Sequence, residues 1–171
     1  MYTDLHKPTS DDFFGKKPKK IIIHHTVDLL EGEMKGSDRF DGKSLSFNKF
    51  EKLSYQHYRY KRFFSHYFVE QIGNTFGVIV GTSEDLKSPF LEDYFWDERG
   101  SILILISGDY GFDIVPEELY IRLGNICGSI IRRYSLGSNA IQLLEDIPNE
   151  NFAITKMKFF NKNLLNARIR K

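Results

Sequence analysis

The sequence predicts a single α/β domain in which helices flank a central mixed β-sheet. Two apolar runs carry this prediction: the isoleucines before His24, and the run SILILIS at 101–107, which is typical of a central strand covered on both faces. An amphipathic pattern over 116–134 adds a helix that packs against such a sheet. The 171 residues suit one domain, with an N-terminal arm over 1–18 and the globular domain over 19–171.

The first half of the chain alternates strand, helix and hairpin. Residues 20–26 are rich in β-branched isoleucine and predict a buried strand, and the glycines and serines of 28–45 predict a loop. Ser46 is a suitable N-cap for a helix over 47–60. The runs 63–70 and 75–80 then enclose Gly73-Asn74, which favours a β-hairpin.

The second half begins with a polar loop over 81–100, followed by the strand at 101–107. Pro116 and Glu117 open the long helix, whose apolar positions recur at helical spacing. The segment AIQLLEDI at 140–147 predicts a short strand, and a last helix is expected near 159–168. The complete predicted order is β-α-β-β-β-α-β-α.

Composition and charge exclude several classes of protein. The net charge of +1 gives no general attraction to nucleic acid or to a membrane surface, and no run reaches the length of a membrane span. The lysine run Lys16, Lys17, Lys19 and Lys20 is interpreted as a solvated lead-in to the first strand rather than a phosphate site. The lone Cys127 is expected to be a core thiol. Without an apolar signal segment we expect a cytoplasmic protein, although a phage-encoded or non-classically exported protein would have the same pattern.

An apolar strand that ends in His24 and His25 suggests imidazoles presented at the edge of a sheet. Imidazole is a common zinc ligand, but a metal site needs three protein ligands. The alternative is that one imidazole is buried and hydrogen-bonded while the other faces solvent. The sequence alone leaves both alternatives open.

Five segments together resemble one family: IIIHHT (21–26), FFSHYFVEQIGNTFGVIV (63–80), SILILISGDYG (101–111), VPEELYIRL (115–123) and RRYSL…AIQLLEDIP (132–148). In this order they resemble the zinc-dependent N-acetylmuramoyl-L-alanine amidases and peptidoglycan recognition proteins (the amidase type 2 fold). The resemblance implies an amidase-like fold and zinc-assisted hydrolysis of the amide between muramic acid and L-alanine. It also implies that His24 is the first metal ligand.

The chain departs from the family pattern where the remaining site residues are expected. Leu144 takes the position of the second ligand histidine, and Leu105 that of the catalytic glutamate. The segment near Ile154 lacks the Asp or Cys of the third ligand. Since leucine binds no zinc and relays no proton, the resemblance implies a degenerate zinc site and no resident cofactor, with no confident catalytic residue.

The other polar candidates form a hypothetical remnant groove: His25, His66, Asp109, Tyr110, Trp96 and Asp146. Each has a structural alternative. His66 is interpreted as a hydrogen-bonded core histidine, and the two aspartates and Tyr110 as turn residues. Trp96, with Tyr94 and Phe95, either stacks on sugar rings or forms a lid over the core.

We therefore expect a pseudoenzyme of amidase-like fold that acts by binding a peptidoglycan fragment or a protein partner. One alternative is a divergent, active amidase of the cell wall, with zinc held by His24 and substitute ligands among His25, His66 and Asp146. A second is a structural or regulatory component of a phage or a secretion system. Fold alone does not decide among them.

Overall fold

The computed structural model describes residues 8–29, 51, 62–149 and 154–169. The predicted loop 28–45 lies almost entirely outside these ranges, and so does the predicted helix 47–60. The helices and strands within them are β1 (Ile21–His25), β2 (Tyr67–Ile72), β3 (Thr75–Val80), α1 (Pro89–Tyr94), β4 (Ile102–Ile106), α2 (Glu117–Tyr134), β5 (Ile141–Leu143) and α3 (Lys162–Arg168).

The sheet has five strands in the order β3-β2-β4-β1-β5. Strands β2 and β3 form the antiparallel hairpin, with Gly73 in the left-handed conformation (φ 61°) that its turn requires. All other neighbours are parallel, so the sheet is mixed. The predicted single α/β domain with a central mixed sheet and flanking helices is thereby confirmed.

Alternation along the central strands divides the core into two layers. The isoleucines of β4 face helices α2 and α3, whereas Leu103 and Leu105 face the opposite layer, which contains α1. In β1, Ile21 and Ile23 belong to the first layer and Ile22 to the second. We call the layer of Ile22, Leu103 and Leu105 the leucine face. Because side chains alternate, His24 lies on the leucine face and His25 on the helix α2 face.

The predicted polar loop 81–100 is wrong in its centre, where helix α1 forms. Ser88 is its N-cap and accepts a hydrogen bond from the backbone N–H of Leu91 at 3.2 Å, while Pro89 occupies the first helical position. The predicted strand at 140–147 is shorter in the structure, because Leu144–Asp146 turn away as a 3₁₀ helix directly after β5.

Helix α2 covers the core as predicted. Its apolar stripe includes Cys127, which is fully buried, and burial raises the pKa of this thiol to about 12. The cysteine is therefore the inert core thiol expected from the sequence. None of the helices in the described ranges has the length and apolar character that crossing a membrane requires.

Candidate functional site

His24 lies at the carboxyl end of β1, on the leucine face. Its side chain has no solvent exposure, and in the sheet its backbone is registered opposite Leu105. Leu105 and Leu144 are both fully buried in the same apolar cluster, and Ile154 packs against it. His24 thus lies next to Leu105 in the sheet, on the same face as Leu144 and Ile154.

His25 faces the opposite layer and uses both ring nitrogens. Its Nδ1 accepts a hydrogen bond from the backbone N–H of Tyr110 at 3.0 Å, and its Nε2 lies 2.7 Å from the carbonyl oxygen of Thr155. Since Nδ1 accepts, the proton is on Nε2, which donates to Thr155. The imidazole is therefore neutral, and the carboxylate of Asp109 at 4.0 Å from Nδ1 forms no ion pair with it.

Asp109 and Tyr110 form the turn after β4. The Asp109 carboxylate accepts from the backbone N–H of Gly111 at 3.1 Å, an Asx-type turn contact. The Tyr110 ring packs on Gly108, whose φ of 142° requires glycine and whose missing side chain leaves room for the ring. Burial raises the pKa of Tyr110 to about 12, so its hydroxyl stays protonated. Both residues hold the loop in shape.

His66 is a buried histidine whose two ring nitrogens both form hydrogen bonds to the backbone. Its Nδ1 accepts from the backbone N–H of Leu103 at 2.9 Å, and its Nε2 lies 2.8 Å from the carbonyl oxygen of Leu86. Burial lowers the pKa of His66 to about 4, and the hydrogen bond to Leu86 offsets this effect in part. The ring connects the centre of β4 to the segment before α1.

The aromatic cluster of Tyr94, Phe95 and Trp96 contains both buried and exposed rings. Phe95 is buried in the leucine-face core and Tyr94 packs on the ring of Phe90, with the ring centroids 5.2 Å apart. Trp96 is 57% exposed, and the guanidinium of Arg99 lies 4.1 Å from the centroid of its ring. Phe95 is therefore part of the core, whereas the indole of Trp96 is exposed apart from its contact with Arg99.

A cavity of about 460 Å³ opens beside Trp96 and is lined by Tyr94, Phe95, Trp96, Asp97, Glu98, Ile147, Pro148 and Asn149. Phe95 and Ile147 belong to the leucine-face cluster, so the cavity lies on the same face of the sheet as His24. Trp96 itself precedes the start of β4, whereas His24 lies near the carboxyl end of the parallel strand β1. The structure therefore does not bring Trp96 and the two histidines together.

The acidic residues after β5 have different environments. Glu145 accepts a hydrogen bond from the backbone N–H of Met157 at 2.7 Å and so fixes the returning chain. Asp146 is exposed in the 3₁₀ turn. Within residues 8–29, 62–149 and 154–169, no three His, Cys, Asp or Glu side chains are grouped as a metal would need.

The sequence did not predict which backbone groups bind His25 and His66. Every residue has a backbone carbonyl, so the identities of Thr155 and Leu86 give no indication of these hydrogen bonds. Sequence reasoning also missed Glu84, which accepts hydrogen bonds from Tyr67, Tyr134 and Arg133 and so joins the hairpin to α2. We interpret this group as structural, because its polar side chains are hydrogen-bonded to one another.

No protein-family model matches the sequence, and no curated protein sequence matches it. Solved structures do. The endolysin of the Thermus scotoductus bacteriophage Ph2119 superposes with a TM-score of 0.64 at 14% identity, and the match covers 93% of this chain and 89% of the endolysin. The fold is that of the amidase endolysins and peptidoglycan recognition proteins.

Two further structures extend this likeness. The N-acetylmuramoyl-L-alanine amidase endolysin LysCS from Clostridium intestinale is similar with a TM-score of 0.58 at 13% identity, covering 85% of this chain and 79% of the enzyme. Drosophila peptidoglycan recognition protein SD is similar with a TM-score of 0.55 at 16% identity, covering 77% and 70%. At these identities the likeness establishes the amidase-like fold, within which His24 and His25 are the last two residues of a central strand.

Proposed function

We propose that this amidase-fold protein binds peptidoglycan fragments and does not hydrolyse them. The observation that carries the proposal is the complete burial of His24, with Leu105 and Leu144 fully buried on the same face. A catalytic zinc keeps an open coordination position for water. Among the described residues, Leu105 and Leu144 offer no metal ligand on the face of His24, and the full burial of the imidazole leaves no open path for that water.

The cavity beside Trp96 supplies a place for the glycan. Its volume of about 460 Å³ is within the usual range for small-molecule sites. Exposed aromatic faces stack on sugar rings, and Asp97 and Asn149 in the lining offer polar groups for hydroxyl recognition. Solved structures named as a peptidoglycan recognition protein and as amidase endolysins share the fold, which supports this ligand class.

The active-amidase alternative requires new ligands beside His24. Both ring nitrogens of His25 and of His66 form hydrogen bonds to the backbone, so either ring would have to leave its partners to bind zinc. Zinc content and muropeptide cleavage, measured for the wild type and for His24→Ala, separate the two functions. We expect no stoichiometric zinc and no cleavage in either protein. Zinc at one equivalent, with cleavage that depends on His24, would establish an amidase instead.

Binding is tested by retention on insoluble peptidoglycan. We expect the wild type to be retained and Trp96→Ala to be released at least severalfold more readily. Phe112→Ala is the matched control, since Phe112 is also an exposed aromatic residue but lies in the loop after β4. Failure of the wild type to be retained would favour a structural or regulatory role in a phage or a secretion system.

A further inference from the structure

The N-terminal arm is fixed to the domain by specific contacts. The guanidinium of Arg62 forms a salt bridge with Asp12 at 2.8 Å, and both side chains are largely buried. The ring of Phe14 packs against Gly100 so closely that any side chain at position 100 would overlap it. The residues that follow Phe14 are therefore held in place next to the start of β4.

Those following residues include Lys16, Lys17, Lys19 and Lys20. They surround a cleft of about 240 Å³, whose full lining is Phe14, Lys16, Lys17, Lys19, Lys20, Asp97, Glu98, Gly100 and Ser101. We call it the lysine cleft. Four cations and two carboxylates around one cleft leave an excess of positive charge in a protein whose net charge is only +1.

Two of the lysines are engaged and two are available. Lys20 forms a salt bridge with Glu98 at 2.9 Å, and the ammonium of Lys17 donates to the carbonyl oxygen of Tyr134 at 3.1 Å. Lys16 and Lys19 are exposed, and no carboxylate in the described part of the chain lies within ion-pair distance of either. Glu98 is neutralised by Lys20, so Asp97 is the remaining acidic group of the lining.

The lysine cleft adjoins the aromatic cavity. Asp97 and Glu98 line both, and Trp96 precedes them on the cavity side. A ligand that crosses the Asp97–Glu98 turn would thus meet an exposed indole on one side and two available ammonium groups on the other. An anionic glycan has both complementary features, since its sugar rings stack on aromatic faces and its charged substituents pair with lysine.

We propose that the lysine cleft is a binding site for an anionic glycan, meaning a sugar polymer that carries phosphate, sulfate or carboxylate groups. The site holds the anionic substituents on Lys16 and Lys19 and an adjacent sugar ring on Trp96. Asp97 repels anions at the centre of the turn, so charged groups are directed to the lysine side. The proposal does not require the chain to bind peptidoglycan, and its test uses none.

The single tryptophan of the chain makes the test local, because Trp96 lies beside the proposed site. Dextran sulfate, neutral dextran and inorganic polyphosphate are titrated against the full chain at low salt while indole fluorescence is recorded. We expect saturable binding of dextran sulfate with a change in fluorescence, a loss of affinity as salt screens the charges, and no binding of neutral dextran. Polyphosphate is expected to bind more weakly, since it offers no ring to Trp96.

The decisive variant is Lys16→Glu/Lys19→Glu, which we expect to weaken dextran sulfate binding by roughly tenfold or more. Lys156→Glu/Lys158→Glu changes the net charge equally at two exposed positions outside both clefts, and we expect less than about a twofold effect. Equal losses in the two variants would overturn the site in favour of non-specific charge. Polyphosphate binding as tight as that of dextran sulfate would overturn the glycan specificity. Equal binding of neutral dextran would overturn the need for anions.

Discussion

The backbone N–H of Tyr110 donates a hydrogen bond to Nδ1 of His25 at 3.0 Å, which joins the end of β1 to the loop after β4. The same ring holds the carbonyl oxygen of Thr155 at 2.7 Å on its other side. A histidine that looks like half of a metal-binding pair in the sequence therefore serves to connect three segments of backbone.

Replacing His25 tests this connecting role. His25→Leu leaves the N–H of Tyr110 and the carbonyl of Thr155 without their partner, and we expect a loss of about 2–4 kcal/mol in the free energy of unfolding. His25→Gln keeps one donor and one acceptor and should lose clearly less. Urea unfolding followed by far-UV circular dichroism provides the measurement. Equal losses in both variants would show that the hydrogen bonds contribute little.

The lowered pKa of His66 leads us to expect that the stability of the protein depends on pH. Its pKa is lowered from 6.5 to about 4 in the folded state, so between these values the unfolded chain binds the proton more readily. The stabilisation that neutral His66 contributes is fully present above pH 6.5 and falls as the pH decreases. Near pH 4 the free energy of unfolding is lower by about 3 kcal/mol.

The variant His66→Gln isolates this contribution, because glutamine does not titrate and all other acidic and basic groups remain. Unfolding free energies of both proteins are compared from pH 7.5 to 4. We expect the difference between wild type and variant to shrink as the pH falls. A constant difference would mean that His66 is protonated equally well in the folded and unfolded states.

Leu105 tests whether the leucine face is a packed core or an open groove. In a packed core Leu105→Ala should cost about 2–5 kcal/mol. Leu105→Glu should cost more, because it buries a carboxylate without a partner. Leu164→Ala is the control, since Leu164 is half exposed on α3, and it should change stability by less than about 0.5 kcal/mol. Tolerance of Leu105→Glu would indicate a solvated groove and count against the proposed loss of the catalytic site.

Glu84 predicts a strong link between the hairpin and α2. Its carboxylate accepts from the hydroxyls of Tyr67 and Tyr134 and pairs with Arg133, so Glu84→Gln should destabilise the protein by about 2–3 kcal/mol. Glu118→Gln is the comparison, because Glu118 contacts Arg122 and the hydroxyl of Thr75 only at the exposed surface, and its loss should be no more than about 0.5 kcal/mol. Thermal or urea unfolding of the two variants provides the measurement. Equal losses of stability would show that Glu84 contributes no more than an exposed ion pair does.

The elements that the sequence predicted well are those with a clear local pattern, either a continuous apolar run or a specific turn pair. The run at 101–107 is apolar at every central position because β4 is covered on both faces, and the hairpin has its turn signal at Gly73-Asn74. Helix α1 was missed because its six residues are too short for a periodic pattern. The signal that was present is the pair Ser88-Pro89, a cap followed by the preferred first helical residue.

The candidate site was predictable only in part. The face of His24 follows from strand alternation, and its leucine neighbours were anticipated through the family resemblance. The partners of His25 were not, because they depend on two loops meeting at the end of β1. The lysine cleft was interpreted as solvated chain, since the packing of Phe14 on Gly100 that places it beside Trp96 leaves no pattern in the sequence.

The position of β1 in the sheet has a consequence for how the molecule forms. This strand lies near the start of the chain, yet its two neighbours, β4 and β5, come from the middle and the last part of it. Such pairings between distant segments slow folding, since long loops must close before any contact forms. During translation β1 is synthesised before β4 and β5, so its isoleucines are not covered by these neighbours until both have been made. The order of synthesis therefore makes β1 a point of vulnerability to misassociation during biogenesis.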